Sequence, residues 1–72
     1  MTKEQLDFAV FCVENVADSL NMTGDEVYRL MVGETNILDG YIIPFYDALH
    51  TQGKEYIVWE LIRVMRERGI NI

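Results

Sequence analysis

Residues 49–69 constrain the fold most, because they read as a cap, a helix and a stop in succession. Thr51 is a candidate N-cap, since its hydroxyl can accept a hydrogen bond from one of the backbone N–H groups that a first helical turn leaves unpaired. Glu55 lies near the positive end of the helix dipole, Arg63, Arg66 and Arg68 occupy the last turns, and Gly69 suits the left-handed position beyond the end. The expected helix runs over about 53–68. Ile57, Val58, Leu61, Ile62, Val64 and Met65 then share a face broad enough to touch more than one neighbour, so this helix should be central and the rest of the chain should cover it.

Two capping boxes organise the first half. Thr2 is followed three residues later by Gln5, with Glu4 and Asp7 in the opening turn, which predicts a helix over 3–20 stopped at Asn21. Helical spacing places Leu6, Ala9, Val10, Val13, Val16, Ala17 and Leu20 on one stripe, the face expected to meet the core. Phe8, Phe11 and Cys12 fall outside it at i, i+3 and i+4 and form a second apolar face, either covered by another helix or used for association. Thr23 with Glu26 repeats the capping signal and opens a short helix carrying Val27, Tyr28, Leu30 and Met31 that can end at Gly33.

Residues 35–49 are less clear. Ile37, Leu38, Tyr41 and Ile42 follow helical spacing, but Pro44 lacks a backbone donor and its ring clashes with the carbonyl four residues back, at Gly40. The pattern favours one short turn over 36–40 and a helix restarting near Pro44, with Phe45, Ala48 and Leu49 pointing inward; a single kinked helix is the alternative. No strand pattern, repeat or linker interrupts the chain. The expected fold class is therefore all-α: one domain over 1–72, a compact small bundle of four to five helices with a central C-terminal helix.

At 72 residues, a single core leaves a net stability of only about 3–5 kcal/mol. The lone Cys12 excludes an internal disulfide, and half of the residues are hydrophobic, more than one small core hides. Self-association as a homodimer, or binding to a protein partner, is the expected use of that excess. The formal net charge of −6 counts against nucleic acid and favours a basic or weakly charged protein. The first residues lack the features of a signal peptide, and no run approaches the roughly 20 apolar residues of a membrane span, so a cytoplasmic protein without membrane contact is expected.

The chain resembles a family of short bacterial proteins known only as a domain of unknown function. The resemblance spans nearly the whole length. It is carried by residues 7–14, by Glu26-Val27-Tyr28-Arg29-Leu30, by Leu38-Asp39-Gly40-Tyr41-Ile42, and most specifically by Tyr46 with Leu49-His50-Thr51-Gln52-Gly53-Lys54-Glu55-Tyr56-Ile57-Val58. It implies an all-helical domain without an assigned reaction, in a family whose members look like companions of neighbouring proteins similar to ADP-ribosyltransferases. That suits an accessory or antitoxin-like role. Trp59 departs from the family pattern, which has an acidic residue at that place, so a contact centred on it would belong to this protein alone.

Few residues offer chemistry. His50, Thr51, Gly53 and Lys54 precede a helix N-terminus, where free backbone donors favour an anion; the competing reading is a cap and a tight turn, and the loop lacks the several glycines of a phosphate cradle. Zinc needs about four ligands, and His50 and Cys12 lie in distant segments without paired spacing, so neither a metal nor a cofactor is expected. Cys12, inside an apolar helix and without a neighbouring base, reads as inert. Arg63, Arg66 and Arg68 read as a solvated helix end that Glu60 and Glu67 can neutralise, with a helix-turn-helix transcriptional regulator as an alternative that the overall acidity opposes. Trp59 stands among charges, either flat beneath Arg63 or as an interface anchor. The expectation is a small acidic interaction module, not an enzyme. Its candidate contacts are Phe8, Phe11, Cys12, Trp59 and Arg63, and an anion-binding or ligand-binding loop at residues 50–54 is the alternative.

Overall fold

The computed structural model describes every residue except Glu34, and its described residues form an all-helical bundle without strands. The elements are α1 (Lys3–Leu20), α2 (Gly24–Val32), a π-turn (Leu38–Ile42), α3 (Tyr46–Leu49) and α4 (Lys54–Glu67). No helix is long and apolar enough to cross a membrane, among the described residues.

Both capping boxes close as their spacing requires. Thr2 Oγ1 accepts from the Gln5 N–H at 3.1 Å while the Gln5 side chain accepts from the Thr2 N–H at 2.9 Å, and Thr23 with Glu26 repeats the arrangement at the same distances. A cap of this kind contributes about 1 kcal/mol. α1 ends in a Schellman motif: Asn21 takes the left-handed conformation at φ 57°, its N–H reaching the Asp18 carbonyl and that of Met22 the Ala17 carbonyl. α4 ends in the same way, with Gly69 at φ 98° and the N–H of buried Ile70 bonded to the Met65 carbonyl. α2 stops at Gly33, where a Cβ would stand 2.9 Å from the Arg29 carbonyl oxygen.

α1 packs against both α2 and α4, and α2 also meets the π-turn. The fully buried side chains Cys12, Val16, Val27, Met31, Ile37, Ile42, Leu61 and Met65 come from α1, α2, the segment around the π-turn and α4, so one core joins all four. The C-terminal end of α4 is fastened to the segment after α2 by Arg68, whose Nη1 donates to the Thr35 carbonyl at 2.6 Å.

The structure corrects three expectations. First, the inward face of α1 is turned toward Phe8 and Cys12: these are buried with Ala9, Val16 and Ala17, whereas Leu6 and Val10 are exposed. Phe8, Phe11 and Cys12 are therefore not an open contact surface. Phe8 meets Tyr46 edge to face at 5.5 Å, Phe11 lies partly buried beside it, and Cys12 has no exposed surface. The reason is that α1 is covered from two sides, by α2 and α4, so its buried arc bisects them rather than following its most apolar stripe. Second, Thr51 does not cap α4. Its hydroxyl donates back to the Ala48 carbonyl at 2.9 Å, and Gly53 stands at the N-cap without a side-chain bond. Third, the helix beyond Pro44 begins at Tyr46, leaving Phe45 and Ala48 exposed and only Leu49 buried. The turn before the proline is widened, the Ile43 N–H reaching back five residues to the Leu38 carbonyl, and a π-turn beside a proline changes the course of the chain.

Candidate functional site

Two concave surfaces that a ligand or partner could reach lie one on each side of α1. The first is the outer face of α4. Its inner side chains Ile57, Leu61, Val64 and Met65 fix the helix to the core, so helical periodicity turns residues 54, 55, 58, 59, 62, 63, 66 and 67 to the other side. With the last turns of α1 they border an open groove of about 840 Å³. Val58 and Ile62 are its half-buried floor, Leu20 is its apolar edge on α1, and Trp59, 60% exposed, is its wall.

A polar network lies beside Trp59. Glu60 is only 8% exposed, yet its carboxylate is fully partnered: it accepts from the Tyr41 hydroxyl at 2.5 Å and, in a bidentate pair, from Arg63 Nε at 3.0 Å and Nη2 at 2.8 Å. Arg63 extends to Glu67 through Nη1, and its guanidinium carbon lies 6.0 Å from the centre of the Trp59 ring, at the outer limit of a cation–π contact. The hydrogen bonds from Arg63 and Tyr41 hold the Glu60 carboxyl below the usual carboxylate range despite its burial. Tyr41 is pushed up to about 12 by desolvation and by the hydrogen bond to Glu60. Glu60 raises Arg63 in turn, so the network carries one fixed cation between carboxylates at neutral pH.

The second surface lies between α1 and α2. Met1, Leu6, Val10 and Tyr28, each about half exposed or more, surround a shallow concavity of about 200 Å³ floored by Ala9, Val13 and Leu38. Val32, 41% exposed, continues it one turn beyond Tyr28 on α2. Nearby cations are already neutralised: Lys3 pairs with Asp7 at 3.0 Å and Arg29 with Asp25 at 2.8 Å, while Glu14 lines the concavity.

The loop at residues 50–54 does not gather its polar atoms. His50 Nδ1 faces the Tyr46 carbonyl at 2.7 Å and its ring stacks on Tyr46 at 4.3 Å, so this nitrogen carries the proton and spends it on the backbone. Thr51 is committed to Ala48, and of the four residues only Lys54 borders the α4 groove. The arginines are committed too: Arg63 to Glu60 and Glu67, Arg66 to the Ile72 carbonyl at 2.8 Å, and Arg68 to the Thr35 and Asn36 carbonyls. Cys12 is pushed up to about 12 by burial, which leaves its thiol protonated and unreactive. Among the described residues, no three His, Cys, Asp or Glu side chains converge to hold a metal ion.

Two features were absent from the sequence reading. Glu60, assigned to a solvated face, is buried by a tyrosine nineteen residues earlier in the chain, a contact for which the sequence carries no signal. The α1–α2 surface had a signal in the surplus of apolar residues but was assigned to the core. A family model described as a protein of unknown function (DUF3791) matches residues 7–68. No curated protein and no solved structure matches the chain.

Proposed function

The chain belongs to the DUF3791 family of proteins of unknown function, and from that premise we propose that it is a protein-interaction module rather than an enzyme. The observation that carries the reading is the α1–α2 surface: Met1, Leu6, Val10, Tyr28 and Val32 leave apolar area in water although the core beneath them is complete. Their exposed area is on the order of 500 Å², within the range of the largest patch on a monomer and often functional. The concavity takes one aliphatic side chain, and Glu14 at its edge with the net charge of −6 favours a basic group beside it. The partner is thus a protein segment with an apolar anchor and basic flanks. An enzyme encoded beside this chain, restrained in an accessory or antitoxin-like manner, is the partner the family resemblance implies. Self-association as a homodimer in the cytoplasm belongs to the same proposal.

A short amphipathic peptide with leucine anchors and lysine flanks tests the surface directly. Titrating it should shift the amide resonances of Leu6, Val10 and Tyr28 saturably, and Val10→Glu should abolish the effect while co-purification with the adjacent gene product is lost in parallel. Saturable shifts at Gly53 and Lys54 on adding inorganic phosphate would instead support the alternative loop site. Binding to duplex DNA that weakens with salt would support the regulator. Both have less behind them, since the His50 Nδ1 and Thr51 hydroxyl donors are committed and the net charge of −6 opposes a phosphate backbone.

A further inference from the structure

The groove along α4 is bordered by a face with an internal symmetry of charge. Lys54 and Glu55 stand at its first turn, Arg66 and Glu67 at its last, and Val58, Trp59, Ile62 and Arg63 lie between them. Read forwards the order is basic, acidic, apolar, aromatic; read backwards from Glu67 it is acidic, basic, basic, apolar. Two such helices laid antiparallel about a two-fold axis oppose Glu55 to the second copy's Arg66, a contact that occurs twice. At the centre the same operation brings Trp59 against Ile62 of the other copy. The seam residues Glu55, Trp59, Ile62 and Arg66 are spaced four, three and four apart, the spacing by which helices pack in an antiparallel coiled-coil seam. An isologous interface needs a self-complementary surface of this kind.

We propose that the outer face of α4 is a homodimer interface, in which a second copy of α4 lies antiparallel in the groove with Trp59 as its central anchor. This deepens the self-association reading and rests on it. Trp59 is the kind of residue that dominates binding energy when it is enclosed, and the Glu60, Arg63 and Glu67 network holds its surroundings rigid before association. The two faces of α1 then divide the work. The dimer uses the α4 side, and the α1–α2 surfaces of both copies stay open for a partner.

Charge exchange tests this specifically. Molar mass is measured by light scattering from micromolar to millimolar protein for the wild type, Glu55→Arg, Arg66→Glu and the double variant, with the helical circular dichroism spectrum as the folding control. The wild type should be a dimer. Each single variant sets like charges against each other twice and should raise the dimer Kd about ten- to a hundredfold. The double variant should dimerise again, and so should an equimolar mixture of the two single variants, whose ends are complementary only to each other. If either single variant loses its helical spectrum, Trp59→Glu, at an exposed position in the centre of the seam, sets two like charges against each other and provides the second test. A wild-type dimer untouched by every charge reversal overturns the α4 interface and leaves self-association to another face. A wild type that is monomeric throughout overturns self-association itself, without bearing on the peptide titration at the α1–α2 surface.

Discussion

The inner and outer faces of α4 share one backbone and one pair of helix ends, yet they are built for different demands. The inner face is Ile57, Leu61, Val64 and Met65, none more than 6% exposed, packed into the core shared with α1 and α2. The outer face alternates charge with Val58, Trp59 and Ile62, and its largest side chain is 60% in solvent. Apolar burial explains the first completely; on the second it accounts for half-buried Val58 and Ile62 but not for Trp59. A tryptophan contributes little to a monomer that leaves it in water, and this is why the outer face of α4 is proposed as a contact surface.

The sharpest way to break this contrast is in the core. Leu61→Ala removes a fully buried side chain and should cost about 2–5 kcal/mol in urea denaturation, enough to unfold most of so small a domain. A cost below about 1 kcal/mol would mean that the inner face is not what holds α4. Glu60→Ala comes next. It leaves the Tyr41 hydroxyl and the Arg63 guanidinium without their buried acceptor and should cost about 1–3 kcal/mol, with broadened Trp59 indole resonances as the sign that the outer face has lost its brace.

Proton linkage sharpens the comparison further. Glu60 is depressed in the folded state, so its contribution is present above the unfolded carboxylate pKa of about 4.3 and is lost as pH falls through the lower folded value. Tyr41 is raised to about 12, so its contribution is whole below the unfolded pKa of about 10 and is lost as pH rises from there toward 12. Stability measured against pH should fall at both ends, and Tyr41→Phe should remove its part of the alkaline fall and also soften the acid fall, because Glu60 loses one of the two hydrogen-bond partners that depress it. An unchanged alkaline limb would detach Tyr41 from the network. The smallest expected effect on the monomer is at Trp59: Trp59→Ala should change stability by no more than about 0.5 kcal/mol while weakening the dimer strongly.

The helix ends were legible because they are written locally. Thr2 with Gln5, Thr23 with Glu26, Asn21 and Gly69 each act within a turn of the bonds they satisfy, and the structure keeps all of them. The buried arc of α1 was not, because which side of an apolar helix faces inward depends on where α2 and α4 lie. Phe8 and Cys12, on the face that could be either covered or used for association, therefore lie in the core, and Leu6 and Val10, expected in it, lie outside. Thr51 misled for a similar reason: a hydroxyl that can cap the helix ahead can also bond the carbonyl three residues behind, as it does with Ala48. Trp59 was visible among charges from periodicity alone, but the burial of neighbouring Glu60 depends on its contact with Tyr41, in a distant segment.

The most direct measurement is an isotope-filtered nuclear Overhauser experiment on a mixture of labelled and unlabelled chains. The account predicts intermolecular cross-peaks between the Trp59 indole and the Ile62 methyl groups, with Glu55 to Arg66 contacts flanking them. A dimer whose only intermolecular cross-peaks come from Leu6, Val10 and Tyr28 would contradict it, placing self-association on the α1–α2 surface and leaving the outer face of α4 to a different protein.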